Sequence, residues 1–96
     1  MRSFCVMMEA MTCSHVATLP RTVPPESAQD CVDCLALGER NWAHLRMCLS
    51  CGHVACCDSS PHRHATAHFG ASQHPVMRSF EPGENWRWCY VDSAVV

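Results

Sequence analysis

Most of the residues that could do chemistry lie between positions 31 and 74. Two pairs with C-x₂-C spacing, Cys31/Cys34 and Cys48/Cys51, are followed by another cysteine and three histidines. Thiolate sulfur and imidazole nitrogen are the ligands that tetrahedral zinc prefers, and C-x₂-C spacing lets two sulfurs reach one ion from a tight turn. The spacing therefore predicts at least two structural zinc sites in this stretch.

A count of candidate ligands extends the prediction to a third site. The candidate cysteines and histidines are Cys13, His15, Cys31, Cys34, Cys48, Cys51, Cys56, His64, His68, His74 and Cys89. They are one ligand short of three tetrahedral sites, and Asp92 follows Cys89 by three residues, where a terminal C-x₂-C would have its second ligand. A carboxylate oxygen also binds zinc. A third ion is therefore expected at Cys89 and Asp92 together with the C-x-H pair, Cys13 and His15. Alternatively, Asp92 is solvated and this site holds a water or no metal, which makes the expected cofactor two to three zinc ions.

The composition agrees with a small metal-braced domain. The chain has 96 residues, nine cysteines and a formal net charge of −2. A domain of this size buries a modest core and usually needs metal or disulfides, and the odd cysteine count, the C-x₂-C spacing and the absence of a secretory signal favour metal in a reducing compartment. No apolar run is long enough to span a membrane, and the acidic balance argues against nucleic-acid binding. We therefore expect a cytoplasmic monomer.

The elements that position the ligands can be predicted from the surrounding pattern. Alternation over 42–47 predicts a strand leading into the second C-x₂-C pair, and residues 53–56 predict a return strand, so that a hairpin carries metal at its tip. A helix is predicted to start at 59–61, with serine as N-cap and proline at the first position, and to end near Phe69 before Gly70.

The remainder of the pattern completes a small sheet. Strands are predicted over 76–80 and 85–92, joined by a type II turn at 81–84, and the last strand has Trp86, Trp88 and Tyr90 on one side. The result is a small zinc-stabilised α+β domain with a short antiparallel sheet and one main helix. We assign residues 13–92 to this domain, 1–12 to a flexible leader or an upstream start, and 93–96 to a tail.

Together these motifs resemble the zinc finger of ubiquitin-specific proteases, the UBP (or BUZ) type. The matching motifs are C-x-H, C-x₂-C, N-W, C-L-S-C-G-x-V-x-C, H-x₃-H-x₅-H-P and W-C-Y, and they cover residues 13–92. The resemblance implies a twisted sheet and a helix that are cross-braced by up to three zinc ions. The stand-alone arrangement and the use of arginine for all seven basic residues favour a bacterial source.

The resemblance also implies how the ligands are divided. One ion is implied at Cys31, Cys34, Cys56 and His64, and another at Cys48, Cys51, His68 and His74. Spacing alone predicts that His64 and His68 share an ion, because residues at i and i+4 lie on one helix face. The cysteines and histidines left over, Cys5, Cys57, His44, His53 and His62, are expected to be core or surface residues.

Fingers of this type that bind ubiquitin capture its C-terminal Gly-Gly between aromatic rings, and an arginine meets the carboxylate. The resemblance implies aromatic ligand-binding positions at Trp42, Trp88 and Tyr90, whereas the arginine position holds Asp58. An acidic side chain repels a terminal carboxylate, and the lost charge-assisted hydrogen bond is worth about 1.5–3 kcal/mol. The substitution argues against ubiquitin as the ligand. Other arginines that could supply the cation are Arg46, Arg63 and Arg87.

Two functions of different classes are compatible with these residues. The first is a protein-interaction module that recognises a peptide or protein C-terminal tail, or an amine-bearing segment attracted to Asp58, through the aromatic positions. The second is a zinc- or redox-responsive regulator in which oxidised zinc thiolates release metal and Cys57 resolves Cys56. An enzyme is not expected, because a catalytic zinc needs an open position and a general base, and only the site at Asp92 could be open.

Overall fold

A computed structural model describes residues 13–20 and 22–96, and the predicted leader at 1–12 lies outside the described residues. The elements in chain order are α1 (Ser14–Ala17), α2 (Val32–Ala36), β1 (Leu45–Cys48), β2 (Val54–Cys56), α3 (His64–Ser72), β3 (Val76–Ser79), β4 (Arg87–Cys89) and β5 (Ala94–Val95). The strands form one antiparallel sheet in the order β2-β1-β3-β4-β5. The main helix, α3, packs on β1 and β2. The predicted α+β class, with an antiparallel sheet and one main helix, is confirmed.

The β1–β2 hairpin holds the second C-x₂-C pair at its turn, as predicted. Gly52 has φ +84° in this turn, and a Cβ there would overlap the carbonyl oxygen of Pro24. The Glu26 N–H donates to the Gly52 carbonyl at 2.9 Å. The segment that contains Pro24, Pro25 and Glu26, which we call the proline-rich segment, therefore lies directly on the hairpin turn, and it can approach so closely because position 52 has no side chain.

The predicted start of the main helix is wrong by several residues. The helix α3 begins at His64, and its N-cap, Arg63, has φ +47°. Ser60, the predicted cap, is buried, and its hydroxyl accepts a hydrogen bond from the Ala43 N–H at 2.7 Å. The helix also continues through Gly70 to Ser72. Tertiary contacts have overridden the local signal, because Ser60 is needed to hold the segment before β1.

The end of the chain also differs from the prediction. Ala94–Val95, expected within a tail, pairs with β4 as the edge strand β5, and the Val96 N–H donates to the Arg87 carbonyl at 3.0 Å. The pairing satisfies backbone groups of β4 that an edge strand would otherwise leave open. The turn before β4 agrees with the prediction, since Gly83 has φ +81° and the Glu84 N–H donates to the Glu81 carbonyl at 3.2 Å.

Cysteines make up much of the buried core. The larger cluster contains Cys31, Cys34, Leu45, Met47, Val54, Ala55, Cys56 and Ala65, and the smaller one contains Cys13, Val76 and Cys89. No helix in the described part of the chain has the length and hydropathy needed to cross a lipid bilayer. Because few large apolar side chains are buried, cohesion of the domain depends on what the thiols bind.

Candidate metal centres and the adjoining surface

The first candidate centre joins α2, the end of β2 and the start of α3. Its members are Cys31, Cys34, Cys56 and His64. Cys31 is the N-cap of α2, and its sulfur accepts a hydrogen bond from the Cys34 N–H at 3.4 Å. The His64 Nδ1 atom lies 3.3–3.5 Å from the three sulfurs, and the Cys34 and Cys56 sulfurs are 3.9 Å apart. All three cysteines are buried, so this centre is closed to solvent except at the histidine.

These distances fit tetrahedral zinc. With zinc–sulfur bonds of about 2.3 Å and zinc–nitrogen bonds of about 2.05 Å, tetrahedral angles place two sulfurs about 3.8 Å apart and a sulfur and a nitrogen about 3.6 Å apart. The first centre matches both separations to within roughly 0.3 Å. Three thiolates with one imidazole form a usual donor set for structural zinc. The four side chains therefore lie close to the arrangement that one tetrahedral ion requires.

The second candidate centre lies at the hairpin turn. Its members are Cys48, Cys51, His68 and His74. The distances from Cys48 Sγ to His74 Nδ1 and from Cys51 Sγ to His68 Nε2 are both 3.5 Å, again the separation expected around zinc. Burial and the neighbouring rings of His53 and His74 lower the pKa of His68, which favours the neutral imidazole that a metal needs. Cys51 is the exposed ligand of this centre.

The third candidate centre joins the two ends of the domain. It contains Cys13, His15, Cys89 and Asp92. His15 Nδ1 lies 3.4 Å from each sulfur and 3.3 Å from Asp92 Oδ2. Asp92 Oδ2 lies only 2.7 Å from Cys13 Sγ, so a shared ion requires these two atoms to separate by roughly 0.9 Å. Hydrogen bonds from Cys13 and then His15 lower the pKa of Asp92, which keeps it an anionic donor.

The structure separates His64 from His68, so the prediction from spacing alone is wrong. Cys48 and Cys56 lie at opposite ends of the antiparallel hairpin, because Cys56 pairs with Leu45. The helix α3 crosses this hairpin, and its first turn reaches the Cys56 end while its second turn reaches the Cys48 end. The structure thus brings all twelve predicted ligands into three sets of four, and the division at α3 follows the UBP-type pattern.

A group beside the second centre was not predicted from the sequence. His53 lies between two carboxylates, with Glu26 at its Nδ1 and Asp33 Oδ2 2.7 Å from its Nε2. Its ring stacks on that of His68 with 4.5 Å between centroids. Such contacts around a ligand fix the orientation of its ring. His53, expected from the sequence to be a core or surface residue, receives one partner from the proline-rich segment, Glu26, and one from α2, Asp33, and only the tertiary structure brings them to its ring.

Three of the four predicted ligand-binding residues lie together. Asp58, Trp88 and Tyr90 line a cavity of about 210 Å³, together with Arg46, Cys57, Ser59, Met77 and Trp86. The Arg46 guanidinium lies 4.6 Å from the centroid of the Trp86 ring, and Tyr90 stacks on Phe69 at 4.8 Å. We call this surface the aromatic face. Arg46 is one of the three arginines that the sequence offers as an alternative cation, and Trp86, which was not among the predicted ligand-binding residues, lies on the side of the last strand where alternation predicts it, with Trp88 and Tyr90.

Trp42, the fourth predicted residue, is not part of the aromatic face. It packs against the larger core cluster and lines a separate groove with Leu45 and Phe80. The strand predicted from residue 42 begins only at Leu45, and the chain bends at Ala43 before it. Continued alternation would place Trp42 on the Arg46 side, but because this segment is not part of β1, Trp42 lies with Leu45 on the opposite side. Asp58 accepts a hydrogen bond from the Thr66 hydroxyl at 2.6 Å, which ties this carboxylate to α3.

Comparison with known proteins agrees with this arrangement. A solution NMR structure of a protein from Rhodopseudomonas palustris has a TM-score of 0.79 and 52% sequence identity, over 88% of this chain and 80% of the other. Ubiquitin carboxyl-terminal hydrolase 44 from Ailuropoda melanoleuca is 35% identical in an alignment over 89 residues that covers 88% of this chain but 11% of the hydrolase. The present chain therefore corresponds to a small part of that enzyme.

The family model described as a zinc finger in ubiquitin-hydrolases and other proteins matches residues 31–96. This range contains all the ligands of the first two centres and the two C-terminal ligands of the third. A finger of this type is a zinc-binding protein-interaction module rather than a catalytic domain. On the strength of this match and of the three sets of four ligands, the chain belongs to the family of zinc fingers found in ubiquitin hydrolases and other proteins.

Proposed function

We propose that this finger binds three zinc ions and uses its aromatic face to bind the C-terminal tail of a partner protein. The observation that carries the proposal is the cavity in which Arg46, Asp58, Trp88 and Tyr90 converge. Aromatic side chains offer rigid apolar area, and a guanidinium binds a carboxylate through paired hydrogen bonds. The volume of about 210 Å³ suits the last one or two small residues of an extended chain.

Charge gives the tail an orientation in this cavity. Arg46 approaches from β1 beside Trp86, so the terminal carboxylate belongs at this end. Asp58 accepts from Thr66 through one oxygen, and its carboxylate has further acceptor capacity for a backbone N–H of the tail. The arginine position of fingers that bind ubiquitin holds Asp58 here, so the carboxylate must be met by Arg46 from β1 instead. Because this places the end of the tail differently, we propose a tail other than that of ubiquitin.

The test uses the zinc-loaded chain and a fluorescent peptide that ends in Gly-Gly, with either a free or an amidated C-terminus. We expect the free acid to bind at least about tenfold more tightly, because a charge-assisted hydrogen bond is lost in the amide. Equal affinity of the two peptides rules out recognition of the terminal carboxylate.

Two tryptophan variants locate the site. We expect Trp88→Ala to weaken binding of the acid about tenfold or more with unchanged zinc content, whereas Trp42→Ala, the matched control on the other side of the sheet, retains affinity. Undiminished binding by Trp88→Ala places the tail elsewhere. Zinc measured by mass spectrometry on the same samples separates loss of contact from loss of fold.

The alternative function, a redox-responsive regulator, is less well supported by the positions of the thiols. Six of the seven ligand cysteines are buried and only Cys51 is exposed. Cys57 is buried, and although burial opposes ionisation, hydrogen bonds from the Ser60 side chain and the Ser59 backbone lower the pKa of its thiol. Since an oxidant reaches these sulfurs poorly, we favour the interaction module.

A further inference from the structure

The side of the sheet opposite the aromatic face carries two arginines directly across from each other. Arg78 on β3 pairs with Arg87 on β4, so both side chains lie on the same face. Like charges in this relation destabilise a sheet. Among residues 13–20 and 22–96, the ion pairs of arginine are limited to Arg40 with Asp30, so no acidic side chain compensates the pair.

The contacts of the two arginines leave most of their donors for a ligand. Arg87 Nε donates to the Val96 main-chain oxygen at 3.3 Å, and the Arg78 guanidinium lies 5.6 Å from the centroid of the Phe80 ring. Within residues 13–20 and 22–96, no hydrogen bond engages the terminal nitrogens of Arg87 or the fork of Arg78, which leaves them to an anion. A guanidinium fork matches a carboxylate in shape and charge.

The arginines border a groove of about 500 Å³ with apolar walls. Arg78, Arg87 and Asn85 line this groove, which we call the arginine groove, together with apolar residues that include Leu19, Met47 and Leu49. It is larger than the cavity of the aromatic face and lies on the other side of the pleat. The residues that line the arginine groove are therefore different from those that line the cavity of the aromatic face.

We propose that the arginine groove binds an acidic segment of a partner protein, in which carboxylate side chains alternate with aliphatic ones. The carboxylates pair with Arg78 and Arg87, and the aliphatic side chains cover the apolar walls. A phosphate backbone fits less well, because it requires a longer basic track and the chain as a whole has a net charge of −2. The module then has two peptide sites, one on each side of its sheet.

The test is a titration of the zinc-loaded, ¹⁵N-labelled full chain with a short peptide of alternating glutamate and leucine, blocked at both ends. Because blocked ends remove the terminal carboxylate, absence of binding by this peptide contradicts only the arginine groove. Absence of binding by the Gly-Gly peptide contradicts only the proposed tail site. We expect chemical-shift changes along β3, β4 and Leu49, and an affinity that falls as salt is added. A peptide with glutamine in place of every glutamate is expected to bind about tenfold more weakly or not at all.

Arginine variants separate binding from structure. We expect Arg78→Gln and Arg87→Gln each to weaken binding of the glutamate peptide about tenfold. Arg46→Gln, on the aromatic face, is expected to leave the affinity for this peptide unchanged. Arg87→Glu creates an opposite-charge pair with Arg78, so it is expected to abolish binding without lowering the thermal midpoint. A merely structural role for Arg87 predicts the reverse, a lower midpoint.

Several outcomes overturn the proposal. One is equal binding of the glutamate and glutamine peptides, and another is shifts that map to Trp88 instead of Arg87. A third is concentration-dependent dimerisation that Arg87→Glu removes, which assigns the groove to a second copy of this chain. A fourth is that a single-stranded oligonucleotide binds more tightly than the acidic peptide and depends on the same arginines. This result assigns the arginine groove to a phosphate backbone.

Discussion

The carboxylate of Asp92 lies 2.7 Å from the sulfur of Cys13, and this contact joins residues 79 positions apart. It closes the domain, because Cys13 precedes α1 and Asp92 lies between β4 and β5. The pair belongs to the loosest of the three candidate centres, since Cys89 is fully buried whereas the Asp92 side chain is 42% exposed. We therefore expect metal occupancy at the third centre to depend strongly on this one carboxylate.

We expect Asp92→Asn to lower the zinc content from three ions to two while the other centres stay loaded. The amide keeps the shape of the side chain but loses the charge that makes the carboxylate a zinc ligand. Native mass spectrometry of wild type and variant measures the number of ions directly. Three ions in both proteins mean that Asp92 is dispensable as a ligand, and two ions in both mean that the third centre does not hold zinc.

Adjacent cysteines at the end of β2 provide a matched pair for the first centre. Cys56 lies among the ligands, whereas the Cys57 sulfur faces Ser60 Oγ at 3.6 Å and takes no part in any of the three sets. Structural zinc contributes an apparent free energy of about 10–16 kcal/mol in small fingers. We therefore expect Cys56→Ser to lose the ion and unfold the domain.

For the matched control, Cys57→Ser, we expect retained zinc and a free energy of unfolding within about 1 kcal/mol of wild type, because a hydroxyl preserves the contact with Ser60. Zinc content and circular dichroism, measured on both variants, show which cysteine is required for metal binding and folding. Zinc loss in Cys57→Ser contradicts the assignment of ligands.

Acid is expected to release zinc and unfold the domain together. In the absence of zinc, burial, assisted by the neighbouring thiols of Cys31 and Cys56, raises the pKa of Cys34 to about 12, and burial raises those of Cys31 and Cys48 as well. Zinc binds thiolates, so each ion must displace protons and its affinity falls as pH falls.

When zinc has been removed, stability depends on pH in the opposite direction and falls as pH rises. A raised thiol pKa favours the neutral form in the fold, so the contribution of Cys34 is present below about pH 9 and is lost as pH rises toward 12. A zinc indicator and circular dichroism, followed together from neutral to acidic pH, test the main expectation. Zinc release without loss of the circular dichroism signal means that the core holds without metal.

The ligands were predictable from the sequence because their chemistry is local. Residue type and C-x₂-C spacing identify zinc ligands in any fold, and the alternation before Cys48 indicates the hairpin that carries them. Whether His64 and His68 share an ion depends on how α3 crosses the hairpin. That crossing is a tertiary property, and a helical spacing of four residues allows either result.

The predicted features that failed did so where tertiary contacts outweighed a local signal. Ser60 before a proline is a good helix start, yet its hydroxyl holds Ala43 and the helix begins later. Trp42 and Trp88 are equally aromatic in the sequence, but Trp42 precedes β1, where the chain bends, and it lies on the side of the sheet opposite Trp88. The His53 contacts with Glu26 and Asp33 join segments that lie far apart in the chain, and no short-range pattern encodes them.

The last prediction concerns the approach of the proline-rich segment to the hairpin turn. Gly52 and Gly38 both have φ near +80°, but a Cβ overlaps the Pro24 carbonyl only at position 52, and nothing lies within 4 Å at position 38. We expect Gly38→Ala to cost about 1–2 kcal/mol of unfolding free energy from left-handed strain alone. Gly52→Ala adds displacement of the segment and loss of the Glu26–Gly52 hydrogen bond, for a total of about 2–5 kcal/mol.

Chemical denaturation at fixed zinc concentration measures the two costs, and hydrogen exchange at Glu26 reports the displacement. We expect the Glu26 amide to exchange faster in Gly52→Ala and to be unchanged in Gly38→Ala, because only the former removes its acceptor from reach. Equal unfolding free energies for the two variants contradict the close approach. Since Glu26 also contacts His53, which stacks on His68, displacement of the segment should also speed zinc release from the second centre.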